Sequence, residues 1–457
     1  MNETARARIS TGRLISANLP CPGVDIRAFL RFSRGMPRFA LEHPLNGAAM
    51  AGAGITAELV AWSDRFAGIE TQAASLFRRA LVDGEGPPEC RARLFGGFAF
   101  QDDFVPDNTW TIWSPAWFVL PHYQFTQIEG KAWLTLNVQV PDDEKAGETL
   151  TELRLALQDL RRELQTFARQ TTGSRRVRLL SLEYPMTRQT WDQIIGIAKS
   201  RILAGELQKV VLSRVAEARF DLPPDSDLAL ERLRQTYCNC WRFLLEPRPG
   251  HAFLGATPEL LVDLRGRNLR SMALAGSAAR GATPDSDEAL ALQMLADFKE
   301  RHEHALVAST LHRRLASLGT IEAPEIPRVF KLANIQHLLT PLACNLHRSD
   351  GLFPLARRLH PSPALGGAPR QPALHLISEL EPVPRGWYAA PVGCLDMHME
   401  GTLVVAIRSA ICQAQRMWLY AGAGIVADSV AQREWEESEL KFRPILTALG
   451  LQEEQSA

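Results

Sequence analysis

The stretch that most narrows the fold is APVGCLDMHMEGTLVVAIRSAICQAQRMWLYAGAGIV, residues 390–426, which reads as one strand after another with Glu400-Gly401 as a turn. Other segments agree. LFGGFAFQ and WFVLPHYQF are aromatic, flanked by turn residues, and read as strands of an antiparallel sheet. LQKVVLSRVAEARF (207–220) alternates, so that Lys209, Val211, Ser213 and Val215 share one face, with a lysine heading an otherwise apolar row. The helices stand apart from these strands. WDQIIGIAKSRILAG has its stop at Gly205, the segment 286–318 lacks Gly and Pro and predicts a single long helix, and a last helix runs from about Val430 to Leu449. Strands clustered with long helices, without regular βαβ alternation, point to an α+β fold.

A chain of 457 residues buries a large core as two or three domains or one unusually large one. The clearest break is the polar, basic RQTTGSRRVRLLSLEYPMTRQTW (169–191), which separates residues 1–180 from 185–450. With 51 basic residues against 51 acidic ones there is no electrostatic footprint for nucleic acid or an anionic membrane, and a small-molecule partner is favoured. Seven scattered cysteines (21, 90, 238, 240, 344, 394, 412) lack zinc-knuckle or redox-pair spacing and imply a reduced interior. The N-terminus has no apolar core of signal-peptide length, and no stretch reaches the roughly 18 apolar residues of a membrane span. The expectation is a soluble, cytoplasmic protein.

DFKERHEHALVAST (297–310) invites a metal reading. A zinc-protease motif needs a second histidine four positions after His302, where Leu306 stands, and His302 and His304 point to different sides of a helix. Glu300 and Glu303, three apart, share a face. So do Glu434, Glu437 and Lys441 in REWEESELK (433–441). Either pair alone reads as a solvated helix face. Two helices each presenting carboxylates suit magnesium, a hard ion that takes its remaining ligands from water and an anionic substrate.

From these residues the sequence resembles the chorismate-utilising enzymes, and among them the isochorismate synthases. The likeness covers roughly 185–450 in ordered motifs: LQKVVLSR (207–214), FLGATPELLV (253–262), LAGSAARG (274–281), KERHEHALV (299–307), IQHLLTPL (335–342), LHPSPALGGAPR (359–370), RGWYAAPVG (385–393), VVAIRSA (404–410), YAGAGIVADS (420–429) and EWEESELK (434–441). Residues 1–180 match loosely, chiefly in LFGGFAF. The resemblance implies one large domain in which antiparallel sheets are sandwiched between helices, with the N-terminal part integrated into it and the active site in a cleft. It also implies magnesium-bound chorismate that takes up water at ring C2 and loses its C4 hydroxyl.

By that likeness Lys209 is the base that deprotonates the water, which requires a neutral amine, and Glu259 is the acid that protonates the departing hydroxyl, which requires a raised pKa. Without it, Lys209 is a strand-end lysine reaching solvent and Glu259 a surface residue after Pro258. Glu303 and Glu437 match magnesium ligands, with Glu300 and Glu434 beside them. Arg408, in an otherwise apolar strand, resembles a carboxylate-binding arginine, and Tyr388 a donor to the same carboxylate. Gly422 and Gly424 resemble glycines whose backbone approaches substrate, His337 a pocket histidine, and Lys441 a lysine near the other carboxylate. His304 is left to packing and His302 to solvent.

Ala364 stands where salicylate-forming and aminating relatives carry threonine, and Ser277 is a residue isochorismate synthases often have; both favour stopping at isochorismate. Ser362, in place of a threonine, and the ending GGAPR depart from that pattern, and Trp387 and Met397-His398-Met399 receive no role. The alternatives are a salicylate synthase, which also releases pyruvate, and an ammonia-using anthranilate or aminodeoxychorismate synthase component with a glutaminase partner. The resemblance implies a monomer with no obligatory protein partner, whose product feeds menaquinone, siderophore or salicylate routes.

Overall fold

The computed structural model describes residues 12–44, 48–141, 146–170 and 177–451. The run 390–426 forms four strands, Pro391–Asp396, Gly401–Val405, Ser409–Gln413 and Arg416–Ile425. They do not stay together. The first two pair in a ten-stranded sheet and the last two in a thirteen-stranded one, so the chain changes sheets at 406–408. The expected turn falls slightly earlier, at 397–400, because Asp396 Oδ1 accepts from both His398 N and Glu400 N and Met399 takes a left-handed φ of 62°. That gives Met397-His398-Met399 a role as a tight turn.

Both sheets mix strands from the two sides of residue 180. Arg38–Glu42 pairs with Trp241–Arg248 in the larger sheet, and Arg93–Phe98 with Pro391–Asp396 in the smaller. Neighbours run antiparallel throughout the described sheets except Arg13–Pro20 with Leu81–Gly84. The fold is therefore the expected α+β one. The polar segment after residue 169 includes a strand, Leu179–Glu183, that pairs with Lys209–Phe220 at the edge of the larger sheet.

Alternation along the strands of the larger sheet feeds two cores. Phe253 and Trp418 face the space between the sheets, where Phe39 meets Phe95 and Trp117 at ring distances of 6.3 and 5.6 Å. Their neighbours Leu254 and Leu419 face the other way, toward helices Ser226–Thr236 and Ala431–Leu449. Trp387 belongs to the inter-sheet core. It is fully buried, donates to Ser114 O at 3.0 Å and meets the Trp113 ring at 5.0 Å.

The segment 286–318 is two helices, Pro284–Ala296 and Phe298–Leu315, where one was expected. Asp297 breaks it: with ψ at 124° its side chain leaves the helical path to accept from Glu300 N at 2.9 Å. An aspartate competes with the helix for backbone donors, and here it caps a new one. The second helix packs on strands Asn268–Ala279 and Ile335–Leu346 of the smaller sheet. All seven cysteines are free, and among the described residues no helix is long and apolar enough to cross a membrane. Trp387→Ala should lower unfolding stability by roughly 3–5 kcal/mol, through lost burial and the cavity left behind. A urea titration followed by circular dichroism checks this; an unchanged midpoint would show that the ring is not part of the core.

Candidate active site

Between the sheets lies a cleft of about 690 Å³, counting the space open to solvent. The larger sheet supplies Val211, Tyr420, Gly422 and Gly424, from strands paired with Val211 opposite Gly424 and Ser213 opposite Gly422. The smaller sheet supplies Leu274, Ala275 and His337. Two charged groups come from crossings between the sheets. Glu259 follows strand His251–Thr257 and precedes Leu260–Arg265, while Arg408 lies between Gly401–Val405 and Ser409–Gln413. Arg408 is thus not a strand residue, as its apolar surroundings had suggested; it sits in the crossing with a left-handed φ of 51°.

Burial decides the charge states. Glu259 is 5% exposed, and loss of water pushes its carboxyl up to about 8 although Lys209, Arg408 and Lys441 pull the other way. That shift favours its protonated form near neutral pH. Burial, with Arg408 and Lys441 nearby, drives His337 down to about 3, so its ring is neutral. Arg408 can only donate, so His337 Nε2, 3.1 Å from Arg408 Nη2, accepts, and Nδ1–H is left to donate to Gly276 O at 3.0 Å. Ser277 Oγ stands 3.1 Å from the same Nδ1. Arg408 Nη1 is buried with no hydrogen-bond partner, a donor held ready for an anion. Burial pushes the Tyr388 phenol up to about 12, which keeps it a neutral donor.

The predicted carboxylates lie in one region, each engaged by its own partner. Lys209, 1% exposed, donates to Glu303 Oε1 at 2.7 Å; Lys441 donates to Glu437 at 2.6 Å and Lys299 to Glu434 at 3.1 Å. Glu300 accepts from Ser277 N at 2.8 Å. Burial, then Glu303 and Glu437, push Glu300 up to about 7, and burial with Glu437 also raises Glu434. Burial works to raise Glu437 too, but Lys441, with Lys299 behind it, pulls the other way and the carboxyl lies below its ordinary value. This all-oxygen set, strained by its own repulsion, fits a hard divalent cation in donor chemistry. Among the described residues no three acidic, histidine or cysteine side chains are close enough to hold one as they stand. Glycine makes room for the lysine pair: a Cβ on Gly424 would lie 2.8 Å from Glu303 Oε1 and 2.9 Å from Lys209 Cε. Gly422 offers its carbonyl to Lys441 at 2.7 Å.

A family model described as chorismate binding enzyme matches residues 2–450. The chain belongs to the chorismate-binding enzymes. It is 34% identical over 363 residues to isochorismate synthase MenF of Bacillus subtilis, covering 78% of this chain and 74% of that one. It is also 34% identical over 392 residues to the salicylate biosynthesis isochorismate synthase of Pseudomonas aeruginosa, covering 84% and 80%. Among solved structures, the menaquinone-specific isochorismate synthase of Escherichia coli superposes with a TM-score of 0.78 at 26% identity, over 96% of this chain and 95% of that one. Anthranilate synthase component I of Streptococcus pneumoniae, at 19% identity and a TM-score of 0.70 over 90% and 91%, shares the fold.

Within this member of the family, Glu259, Glu303, His337, Ala364, Tyr388, Arg408, Gly422, Gly424, Glu437 and Lys441 all line the cleft. Lys209 lies behind Glu303, buried and far from the solvent-reaching pose of a strand-end lysine. Ser277 and Glu300 stand one layer back from the cleft, and Glu434 is buried against Lys299. His304 is buried against Thr340 Oγ1 at 2.8 Å, and His302 is exposed, stacked on Phe298. Sequence reasoning passed over Tyr420, which stacks on Tyr388 at 5.1 Å, and Arg385. A charge at the head of the apolar RGWYAAPVG was the available signal for the second. If Glu259 is protonated at neutral pH, infrared spectra of the wild type minus Glu259→Gln should show a protonated-carboxyl band that titrates near pH 8. A band already lost in the ordinary carboxylate range would show that the cleft does not hold the acid neutral.

Proposed function

We propose that this chain is an isochorismate synthase, adding water at C2 of chorismate and expelling the C4 hydroxyl. The observation that carries the reading is a carboxyl buried away from water, Glu259, in the same cleft as a buried arginine with a free donor, Arg408, and burial raises that carboxyl toward the working pH. A departing hydroxide needs a proton, and a general acid works best with a pKa near the working pH. Arg408, held by His337 and aided by the Tyr388 hydroxyl, takes the enolpyruvyl carboxylate, and Lys441 lies near the other one. Lys209, at the head of strand Lys209–Phe220, is the base for the water, a role that requires it first to give up the proton it donates to Glu303.

Magnesium, held by Glu303 and Glu437 with Glu300 and Glu434 alongside, would neutralise a substrate carboxylate and fix the ring. Supporting this assignment, the four glutamates lie on two helices bridged by the Lys299–Glu434 pair, and Glu437 repels both Glu300 and Glu434. No second chain enters the scheme, since water is the nucleophile.

Purified protein given chorismate and magnesium should form a product of unchanged mass with shifted ring-proton signals, read by mass spectrometry and NMR. Salicylate with pyruvate, or turnover only with ammonia, would overturn the reading. The rate should fall above about pH 8 as Glu259 loses its proton. Lys209→Ala should lower kcat by roughly 10²-fold or more, and retained turnover would remove Lys209 as the base. Glu437→Gln should raise the magnesium concentration needed for half-maximal rate; an unchanged requirement would remove Glu437 from the metal set.

A further inference from the structure

Two arginines line the cleft, and their hydrogen bonds separate them. Arg408 keeps Nη1 free, whereas Arg385, 3% exposed, is committed. Its Nε lies 2.9 Å from Glu381 Oε2, and its Nη2 lies 2.6 Å from both Glu381 Oε1 and Val211 O. Nη1 donates to Leu365 O at 2.8 Å, and the guanidinium carbon sits 4.3 Å from the centre of the Phe100 ring. The Arg385 carbonyl accepts from Tyr388 N at 2.9 Å. Glu381 Oε1 also accepts from Ser213 N at 2.7 Å.

These bonds fall where the Lys209–Phe220 strand lacks a neighbour. Along that edge, Lys209 and Val210 pair with Gly367–Ala368, and pairing with Leu179–Glu183 begins only at Glu217. Val211 O and Ser213 N lie in the gap, and the two charged side chains take them. A buried ion pair thus stands in for a missing length of strand. It also ties together three cleft residues from separate segments, Val211, Leu365 and Tyr388.

We propose that Arg385 and Glu381 form a positioning pair for the reaction, fixing the wall against which the substrate ring is oriented, and that Arg385 does not bind a substrate carboxylate. Its charge is met by Glu381 and each of its nitrogens already donates, to Glu381, Val211 O or Leu365 O, so the anion-binding task falls to Arg408. The inference rests on the isochorismate synthase reading. Orientation errors of about an ångström lower rates by as much as roughly 10²-fold without a matching loss of binding. Removing one member of a buried pair also leaves the other uncompensated, and removing both relieves that.

The test compares full-length wild type with Arg385→Gln, Glu381→Gln, the double variant and Arg408→Gln. Steady-state rates with chorismate and magnesium are scaled to folded protein, and chorismate binding is followed by tryptophan fluorescence. Arg385→Gln and Glu381→Gln should each lower kcat by roughly 10–100-fold with KM and Kd little changed, and the double variant should regain much of that loss. Arg408→Gln should weaken binding. A rise in Kd for Arg385→Gln like that for Arg408→Gln, or an unchanged kcat per folded molecule, would overturn the proposal. Should Arg385→Gln fail to fold, Arg385→Lys and the double variant give the same comparison. Wild type that binds chorismate but leaves it unchanged would instead overturn the functional reading, and the binding series would still separate the two arginines.

Discussion

Pro258-Glu259 and residues 406–408 are two of the places where neighbouring strands leave one sheet for the other, and they are bonded side by side. Val405 N donates to Glu259 O at 3.0 Å, and Ala256 N to Arg408 O at 3.2 Å. The larger sheet pairs Gly255 with Ser409 on one side of the crossings, and the smaller pairs Leu260 with Val404 on the other. A strand crossing between packed sheets must pass through the layer where side chains are dry. The groups it carries there are held by two ladders at once, so Glu259 and Arg408 are fixed by backbone bonds before any side-chain contact is made. Arg408's left-handed backbone is tolerated for the same reason: the ladders on both sides over-determine it.

That placement sets the chemistry. Glu259 sits among Lys209, Arg408 and Lys441, which all favour its ionised form, and burial still wins. An acid balanced in this way is neutral without being far from releasing its proton. His337 is the complementary case, a base that burial and two cations have stripped of its proton, leaving an acceptor that orients Arg408. Neither residue would behave so on the surface, where water would restore ordinary values.

Much of the site was legible because its parts lie in short motifs with fixed spacing: Glu300 and Glu303 on one helix, Glu434, Glu437 and Lys441 on another, Lys209 at the head of a strand. What could not be read was which groups meet. Arg385 and Arg408 look alike in the sequence, each a charge beside an apolar run, and only the fold shows that every nitrogen of one is engaged by Glu381 or the backbone while a whole nitrogen of the other stays free. The helix break at Asp297 was hidden for a related reason, since aspartate inside a helical pattern and aspartate at a cap have the same letters around them. Trp387 was opaque because its partners, Trp113 and Ser114, lie far away in sequence.

The three lysine–glutamate bonds give the cleft a further logic. Lys209, Lys441 and Lys299 each hold one carboxylate, so the negative groups are spaced and partly neutralised although they face one another across two helices. Isolated buried charges of this number would be expensive to desolvate, and pairing lowers that cost. The same bond holds Lys209 to Glu303, and an ammonium has no lone pair, so a base role requires the lysine first to give up a proton. A carboxylate beside a lysine favours its charged form, so a group that draws Glu303 away weakens that hold. A divalent cation would compete for these carboxylates and an anionic substrate for the lysines, so loading the site would exchange the partners of both.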